Sequence, residues 1–453
     1  MQVNLPEKVG YIIQRLEQAG FEAYAVGGCV RDSLLGRTPD DWDVTTSATP
    51  QQVKAVFRRT VDTGIRHGTV TVLLEQEGFE VTTYRIDGEY EDSRHPKEVT
   101  FTANLTEDLK RRDFTINAMA YNDRSGIVDA FGGMEDLRQG IIRCVGDARE
   151  RFTEDALRMM RAVRFSAQLG FTIEAQTRQA VAALVQTLEN ISAERIRTEL
   201  VKLLISPHPD YMREAYRMGI TGVVLPELDR AFATAQNNPH HIHTVGEHLM
   251  SCLCHVRADK ALRLAALLHD IGKPDTKTTD DTGTDHFYGH VERSETLAVQ
   301  ILRRLKFDND TIEKTARYVR YHDDSIEPTP KAVRRAVSRI GAAYFPQVLE
   351  LKRADTLAQS GYQREQKLAL LDQVSDIYRE IVEQNQCVSL KTLKISGNDL
   401  IALGVPKGKR IGELLQLLLE DVLQTPEHND NAYLTEACRK LQQSYCSNQD
   451  YGN

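Results

Sequence analysis

The spacing of glycine, proline and apolar residues changes once along this chain, and the change restricts the fold more than any other feature. From about residue 147 onward Gly and Pro become sparse, and nearly every segment repeats its apolar residues at the spacing of an amphipathic helix. The first 135 or so residues are patterned differently. Residues 7 to 19 have helical spacing and stop at Gly20, after which "FEAYAVGG" alternates into a short strand and "GTVTVLL" and "FEVTTYRI" follow as strand-like runs ahead of "RRDFTINAMAYN". Such a chain is expected to be α+β, a mixed α/β head followed by an all-helical remainder. Breaks near "SPHPD", "QNNPHH", "GKPDTKTTDDTGTDHFYGH" and "EPTP" divide the remainder, and a polar hinge near 360 to 364 leads to a long helix ending near Asn385 and a small C-terminal helical unit.

A length of 453 residues suggests two to four domains, and 41% hydrophobic residues suffice for their cores. The formal charge of -8 argues against indiscriminate wrapping of nucleic acid but leaves room for a local basic surface. Seven scattered cysteines, with Cys252 and Cys254 one residue apart, indicate neither a disulfide framework nor a zinc ribbon. The N-terminus has no apolar signal core, and no run approaches the roughly 18 apolar residues of a membrane span. A reduced, cytoplasmic protein without a membrane partner is expected.

The stretch "GRTPDDWDVTTSATP" sets Asp40, Asp41 and Asp43 around Trp42 immediately before a β-branched run. In an extended strand Asp41 and Asp43 would share a face and Trp42 would point to the other, the geometry of a two-carboxylate clamp for Mg²⁺. Thr38-Pro39-Asp40 is equally good turn chemistry, in which acids are commonly just solvated. Glu80 in "FEVTTYRI" offers a third carboxylate from a neighbouring strand. Upstream, "AVGGCVRDSLLG" runs strand, Gly-Gly, helix, so Gly28 permits close approach of a phosphate and Arg31 on the first turn can bind it.

"GGCVRD" with "DWD", then "RRDFTINAMAYN", "VDAFGGMEDL", "TEDALRMMRAVRFSAQLGF" and "SAERIRTEL" resemble, in order, the motifs of class II tRNA nucleotidyltransferases, the CCA-adding enzymes, and of their bacterial poly(A) polymerase relatives. The resemblance is close over roughly residues 20 to 230. It implies that Asp41 and Asp43, with Glu80, hold Mg²⁺ for nucleotidyl transfer, that Arg31 and Arg112 hold a triphosphate, and that the partners are tRNA, CTP and ATP, with no DNA expected. The expected organisation is a catalytic head at 1–140, a neck at 141–225 for the base and the RNA 3′ end, a third domain at 226–361 and a tRNA-binding region at 362–453.

The neck segment carries Arg158, Arg161 and Arg164 at intervals of three, a stripe winding around a helix, and all three are expected to meet the nucleotide. Cytosine and adenine present an exocyclic amine beside an unprotonated ring nitrogen, whereas uracil and guanine present a carbonyl beside a ring N–H. Asp155 accepting from the amine and Arg158 donating to the ring nitrogen would match the first pattern and oppose the second. The family is similar here, using Glu-Asp-x-x-Arg as a protein template, which in this chain is Glu154, Asp155 and Arg158. Asp155 and Arg158 also suit a surface (i, i+3) ion pair. From 138 to 164 seven Arg face Asp147, Glu150, Glu154 and Asp155, a local excess of +3 that suits triphosphate and RNA.

Further on, His248, the adjacent His269 and Asp270, then His290, His322 and Asp355 follow an order that resembles the HD superfamily of metal-dependent phosphohydrolases. Imidazoles with carboxylates suit a divalent transition metal. His248, His269, Asp270 and Asp355 are the expected ligands, His290 and His322 would complete a second site, and His243 is a spare candidate. Some bacterial CCA-adding enzymes carry such a domain, which implies phosphatase or phosphodiesterase activity. In the tail, "GVPKGKRIGELL" could present Lys407, Lys409 and Arg410 to the phosphate backbone of tRNA, or serve as a solvated helix cap. Two rivals remain. One is a poly(A) polymerase or the A-adding enzyme of a split system; a CC-only enzyme is disfavoured because "GEYEDSRHPKEVTF" is intact, and the resemblance implies that CC-adding relatives shorten it. The other is an HD phosphohydrolase whose head merely binds nucleotide.

Overall fold

Residues 3–88, 99–238 and 243–449 are described by a computed structural model of the chain. It divides into two units, Met1–Asp229 with Arg304–Lys306, and Arg230–Arg303 with Phe307–Asn453.

The first unit is built on strands β1 (Ala23–Val26), β2 (Val44–Thr46), β3 (Thr60–Gly64), β4 (Thr69–Leu74), β5 (Glu77–Thr83), β6 (Arg85–Asp87), β7 (Val99–Phe101), β8 (Met119–Asn122) and β9 (Gly126–Asp129). Seven of them form one sheet in the order β3-β4-β5-β2-β1-β8-β9, while β6 and β7 pair separately. The β-branched run Val44-Thr45-Thr46 is buried throughout and sits at the centre, antiparallel to β1 and parallel to β5. The sequence pattern misses β3 and β9. Both are sheet edges, β3 mostly exposed and β9 half-exposed, so neither needs the apolar alternation that marks a central strand.

Around the sheet lie α1 (Glu7–Gln18), α2 (Gly28–Leu34), α3 (Pro50–Val56), α4 (Leu105–Lys110) and α5 (Gly133–Gln139). Helices α6 (Ala148–Glu154), α7 (Leu157–Leu169), α8 (Ala175–Leu184) and α9 (Ala193–Leu204) follow. "TEDALRMMRAVRFSAQLGF" was expected to be one helix but is broken at Asp155, whose backbone is extended at φ -143 and ψ 100. The cause is local. Asp155 Oδ1 accepts the N–H of Leu157 at 3.1 Å, an alternative to the helical bond that short acidic side chains favour.

The described residues of the second unit are mainly helical and include a two-residue ladder, Thr278–Thr279 with Asp285–His286. Helices Val245–Cys254, Lys260–Leu268, Asn309–Tyr321 and Phe345–Ala358 enclose Leu249, Leu253, Leu264 and Leu351. The long helix expected up to Asn385 spans Arg364–Glu383. Beyond it a separate apolar core of Leu400, Leu414, Leu418, Val422 and Leu434 supports the C-terminal helices. The buried Arg334 donates to the carbonyls of Leu423 and Gln424, answering the bare carbonyls at the end of helix Lys409–Gln424. No helix among the described residues is long and apolar enough to cross a membrane.

The turn at "FGGMEDL" leaves no room for a side chain. A Cβ on Gly133 would lie 2.3 Å from the carbonyl oxygen of Thr115 and 2.9 Å from Met119 Cγ. Gly133→Ala is therefore expected to destabilise the head by about 1–3 kcal/mol, read as a lower urea midpoint at unchanged slope. An unchanged midpoint would mean that α5 does not bear on Thr115 as described.

Candidate active site and metal centre

The parallel register pairs Val44 with Val81, so one step upstream on both strands sets Asp43 beside Glu80. Asp43 continues the ladder through its carbonyl, which accepts the N–H of Val26 at 3.0 Å. Asp41, Asp43 and Glu80 line one cleft of about 860 Å³. Loss of hydration raises the Asp43 carboxyl above its ordinary value; Arg112 opposes this, and the charges of Glu80 and Asp41 reinforce it. Three carboxylates with no nitrogen or sulfur donor suit a hard divalent cation, and a cation would relieve the repulsion that Asp43 bears. Trp42 lines the same cleft, contrary to the expected alternation, because the ladder of regular strand pairs begins only at Val44.

Arg112, which acts on Asp43, also meets the Gly-Gly turn. A Cβ on Gly27, whose φ is +85°, would lie 3.0 Å from Nη1 of Arg112, so the Gly-Gly turn rests against that guanidinium. Arg112 Nη2 stands 3.6 Å from Asp108 Oδ2, and Arg111 Nη2 donates to Asp108 Oδ1 at 2.8 Å. Asp108 is fully buried and also accepts from the hydroxyl of Thr45 at 3.2 Å, which ties α4 to β2. Arg31 lies behind Gly28, donating to Asn117 Oδ1 at 2.6 Å and to both carboxylate oxygens of Asp32. Asp108 gave no signal in the sequence, since it sits in an ordinary acidic helix.

The neck arginines are not a bare basic surface. Arg161 donates two bonds to Asp113 Oδ2, at 2.8 and 2.6 Å, and Arg164 Nε lies 2.5 Å from Glu199 Oε2. The counted excess of +3 is answered by acids outside the segment, because guanidiniums withdrawn from water need carboxylate partners. Arg31, Arg161 and Arg164 also converge on the Phe165 ring, with Cζ 5.0, 5.3 and 3.8 Å from its centroid. Asp155 and Arg158 do not pair with each other. Arg158 bonds Glu154 at 2.7 Å and the carbonyls of Arg111 and Arg151, whereas Asp155 bonds Arg195 on α9 at 2.7 Å. Arg195 lies in "SAERIRTEL", and nothing local in that stretch signals its contact with Asp155.

In the second unit, ligand atoms of His248, His269, Asp270 and Asp355 lie within 4.8 Å of one another, as do those of Asp270, His290 and His322. These are the groups that tight among the described residues; Asp41, Asp43 and Glu80 share a cleft more loosely. His248 Nε2 is 2.9 Å from Asp355 Oδ1 and 3.3 Å from His269 Nε2. Nδ1 of His269, His290 and His322 faces the carbonyl of Ala266, Phe287 and Val319 at 3.0, 2.8 and 2.7 Å. A ring nitrogen facing a carbonyl must carry the proton, which leaves Nε2 as a lone-pair donor aimed inward. Asp270 Oδ1 is buried and accepts no hydrogen bond among the described residues, with His290 Nε2 at 3.4 Å and His322 Nε2 at 3.7 Å. Burial opposes ionisation of Asp270 and Asp355. Lys273 and His269 outweigh it at Asp270, His248 and His269 outweigh it at Asp355, and both stay well below the ordinary carboxylate range. A divalent metal requires imidazole lone pairs and ionised carboxylates; the inward Nε2 atoms and the two low carboxylates offer both, so this donor set fits one. Lys273 Nζ, 2.7 Å from Asp270 Oδ2, was not foreseen. His243 joins neither group. Residues 89–98 of "GEYEDSRHPKEVTF" lie outside the described residues.

Residues 23–143 match the poly A polymerase head domain, 170–232 the probable RNA and SrmB-binding site of polymerase A, and 286–438 the putative domain 2 of tRNA nucleotidyltransferase. The CCA-adding enzyme of Lactiplantibacillus plantarum is 54% identical over 219 residues, 48% of this chain. The matched segment spans about half of that relative, 52% of its length. The CCA-adding enzyme of Ligilactobacillus salivarius is 35% identical over 97% of this chain and 98% of its own length. This chain belongs to the CCA-adding enzyme family. The family fold extends across both units: the CCA-adding enzyme of Bacillus stearothermophilus, solved with CTP, superposes with a TM-score of 0.70 at 29% identity, covering 97% of this chain and 98% of that one. Membership in a nucleotidyltransferase family implies a divalent metal, and the oxygen donors of the cleft at Asp41, Asp43 and Glu80 are of a kind that suits one.

Asp113 links this site to pH. Burial alone would push its carboxyl up, but Arg161 and Asn117 outweigh burial and hold it well below the ordinary range. A carboxyl depressed in the folded state stabilises it above the unfolded pKa, near 3.9, and that stability is lost as pH falls through the folded value. The stability difference between the native protein and Asp113→Asn is thus expected to be full at neutral pH and to shrink below roughly pH 4. Chemical denaturation across pH 3 to 7 would check it, and a pH-independent difference would refute the ion pair.

Proposed function

We propose that this chain adds C, C and A to the 3′ end of tRNA, taking CTP and ATP as substrates and acting in the cytoplasm. The observation that carries the proposal is the register of β2 against β5, which brings Asp43 beside Glu80 in the cleft that Asp41 also lines. The B. stearothermophilus relative solved with CTP and the full-length match to a CCA-adding enzyme support the choice of substrates. Head and neck, residues 1–140 and 141–225, would carry the chemistry and the base reading, and residues 362–453 would hold the body of tRNA.

Asp41, Asp43 and Glu80 would hold Mg²⁺, which when bound lowers the pKa of an attacking hydroxyl and stabilises a leaving pyrophosphate. Arg31 and Arg112 orient the triphosphate, since guanidinium matches phosphate oxygens bidentately. Arg161 and Arg164, gathered with Arg31 around Phe165, would meet the nucleotide beside them. Asp155 accepts from the exocyclic amine of cytosine or adenine, and Arg158 donates to the adjacent ring nitrogen. UTP and GTP present the opposite edge and are refused.

The helical unit supports a second activity. Its buried cluster would hold one transition metal on His248, His269, Asp270 and Asp355 and a second on Asp270, His290 and His322. A cavity of about 810 Å³ opens onto it past His290, His322 and Lys273, room for a phosphate ester. That arrangement supports a phosphohydrolase activity at residues 226–361.

The main test is to sequence the 3′ ends of tRNA lacking CCA after incubation with CTP and ATP. The two centres should separate in it. Asp41→Ala and Asp43→Ala are expected to abolish addition while leaving metal content at the HD cluster intact, whereas His269→Ala and Asp270→Ala remove that metal and any phosphatase activity but spare addition. Addition by either aspartate variant, or unchanged metal in the HD variants, would overturn the corresponding assignment.

Base choice is measured by competition among the four nucleotides. Asp155→Ala and Arg158→Ala should each lose about 5- to 150-fold in preference for CTP over UTP, the effect of about 1–3 kcal/mol from a good bidentate contact. Arg31→Ala should weaken all four nucleotides alike, because it meets only phosphate. Unchanged preference in both Asp155 and Arg158 variants would refute the template.

A further inference from the structure

The carboxylate of Asp155 is held from two sides. Oδ1 accepts the backbone N–H of Leu157 at 3.1 Å, and Oδ2 accepts from Nη2 of Arg195 at 2.7 Å. The first bond is local to the break between α6 and α7, while the second reaches across from α9. Among the described residues it is the one hydrogen bond that the Arg195 guanidinium makes, and its Nη1 is buried without a partner.

That arrangement is costly for a residue serving stability alone. A buried N–H without an acceptor carries a desolvation penalty that rotation toward solvent would remove. The contact with Asp155 is what opposes the rotation. An ionised carboxylate has about four acceptor directions, so two remain open at Asp155, and the two fixed donors decide where they point. Arg158 is anchored independently by Glu154 and the carbonyls of Arg111 and Arg151. Each half of the base-matching edge therefore has its own support, and the support of the acidic half is Arg195.

We infer that Arg195 is a positioning residue for base choice, aiming the Asp155 carboxylate at the exocyclic amine of the incoming base without touching the nucleotide. The inference rests on the reading of Asp155 as the acceptor. In four-nucleotide competition on a tRNA lacking its CCA end, with the full-length enzyme, Arg195→Gln is expected to lose about tenfold of the preference for CTP over UTP. Arg195→Lys, which keeps the charge and a single donor, should fall between Arg195→Gln and the native enzyme, and carries the test should Arg195→Gln not fold. Because Arg195 acts through Asp155, the Asp155→Ala/Arg195→Gln double variant should discriminate no worse than Asp155→Ala alone.

Thermal midpoints measured alongside distinguish a merely structural tie. If the Arg195 variants lower the midpoint and slow CTP and UTP addition by the same factor, the inference is overturned. A further loss of discrimination in the double variant overturns it as well. If Asp155→Ala itself keeps the native preference, the base reading fails and the inference with it; if Asp155→Ala loses the preference and Arg195→Gln keeps it, the positioning role alone fails.

Discussion

A guanidinium withdrawn from water has to find a carboxylate, and much of the first unit is arranged by that requirement. Arg161 and Arg164 on α7 are held by Asp113 and Glu199, and Arg111 and Arg112 likewise by the fully buried Asp108. These pairs join segments far apart in the chain: α7 to the loop that follows α4, α7 to α9, and α4 to the central strand through Thr45. The positive side chains that would serve a nucleotide are thereby fixed before any ligand arrives. Phe165 adds to the arrangement, its ring centroid lying 3.8 to 5.3 Å from three guanidiniums that would otherwise repel one another.

The two candidate metal centres solve opposite problems. In the head the carboxylates line an open cleft, oxygen donors only, with Asp43 raised by lost hydration and by Glu80 and Asp41. A hard cation that keeps several waters and meets substrate oxygens needs such openness. In the helical unit the donors are imidazole nitrogens and carboxylates, nearly all buried, with Nδ1 of three histidines tied to backbone carbonyls. Rigid nitrogen-rich donors suit a more tightly held transition metal. One chain would thus carry a site open to ligand exchange and a site that fixes its ligands.

Much of this was legible from the order of residues. The change from alternating to helical spacing, the Gly-Gly turn, the Asp-x-Asp before a β-branched run and the spaced histidines are local signals, and local signals survive in a sequence. The broken helix at Asp155 was not read, although its cause is a bond to Leu157 only two residues away, because the apolar spacing on either side is helical. Edge strands β3 and β9 left no pattern, since a strand that is half-exposed or more needs none.

The sequence by itself determined the fold class, the family and the residue types at both centres, because propensity, periodicity and motif spacing act over a few residues at a time. Partnership was decided only in three dimensions. That Asp155 bonds Arg195 and not Arg158, that Asp43 stands beside Glu80, and that Asp270 serves two groups of ligands follow from strand register and helix packing. Such contacts depend on which distant segments share a face, and burial then forces each charge to take the nearest opposite one, whichever part of the chain supplies it.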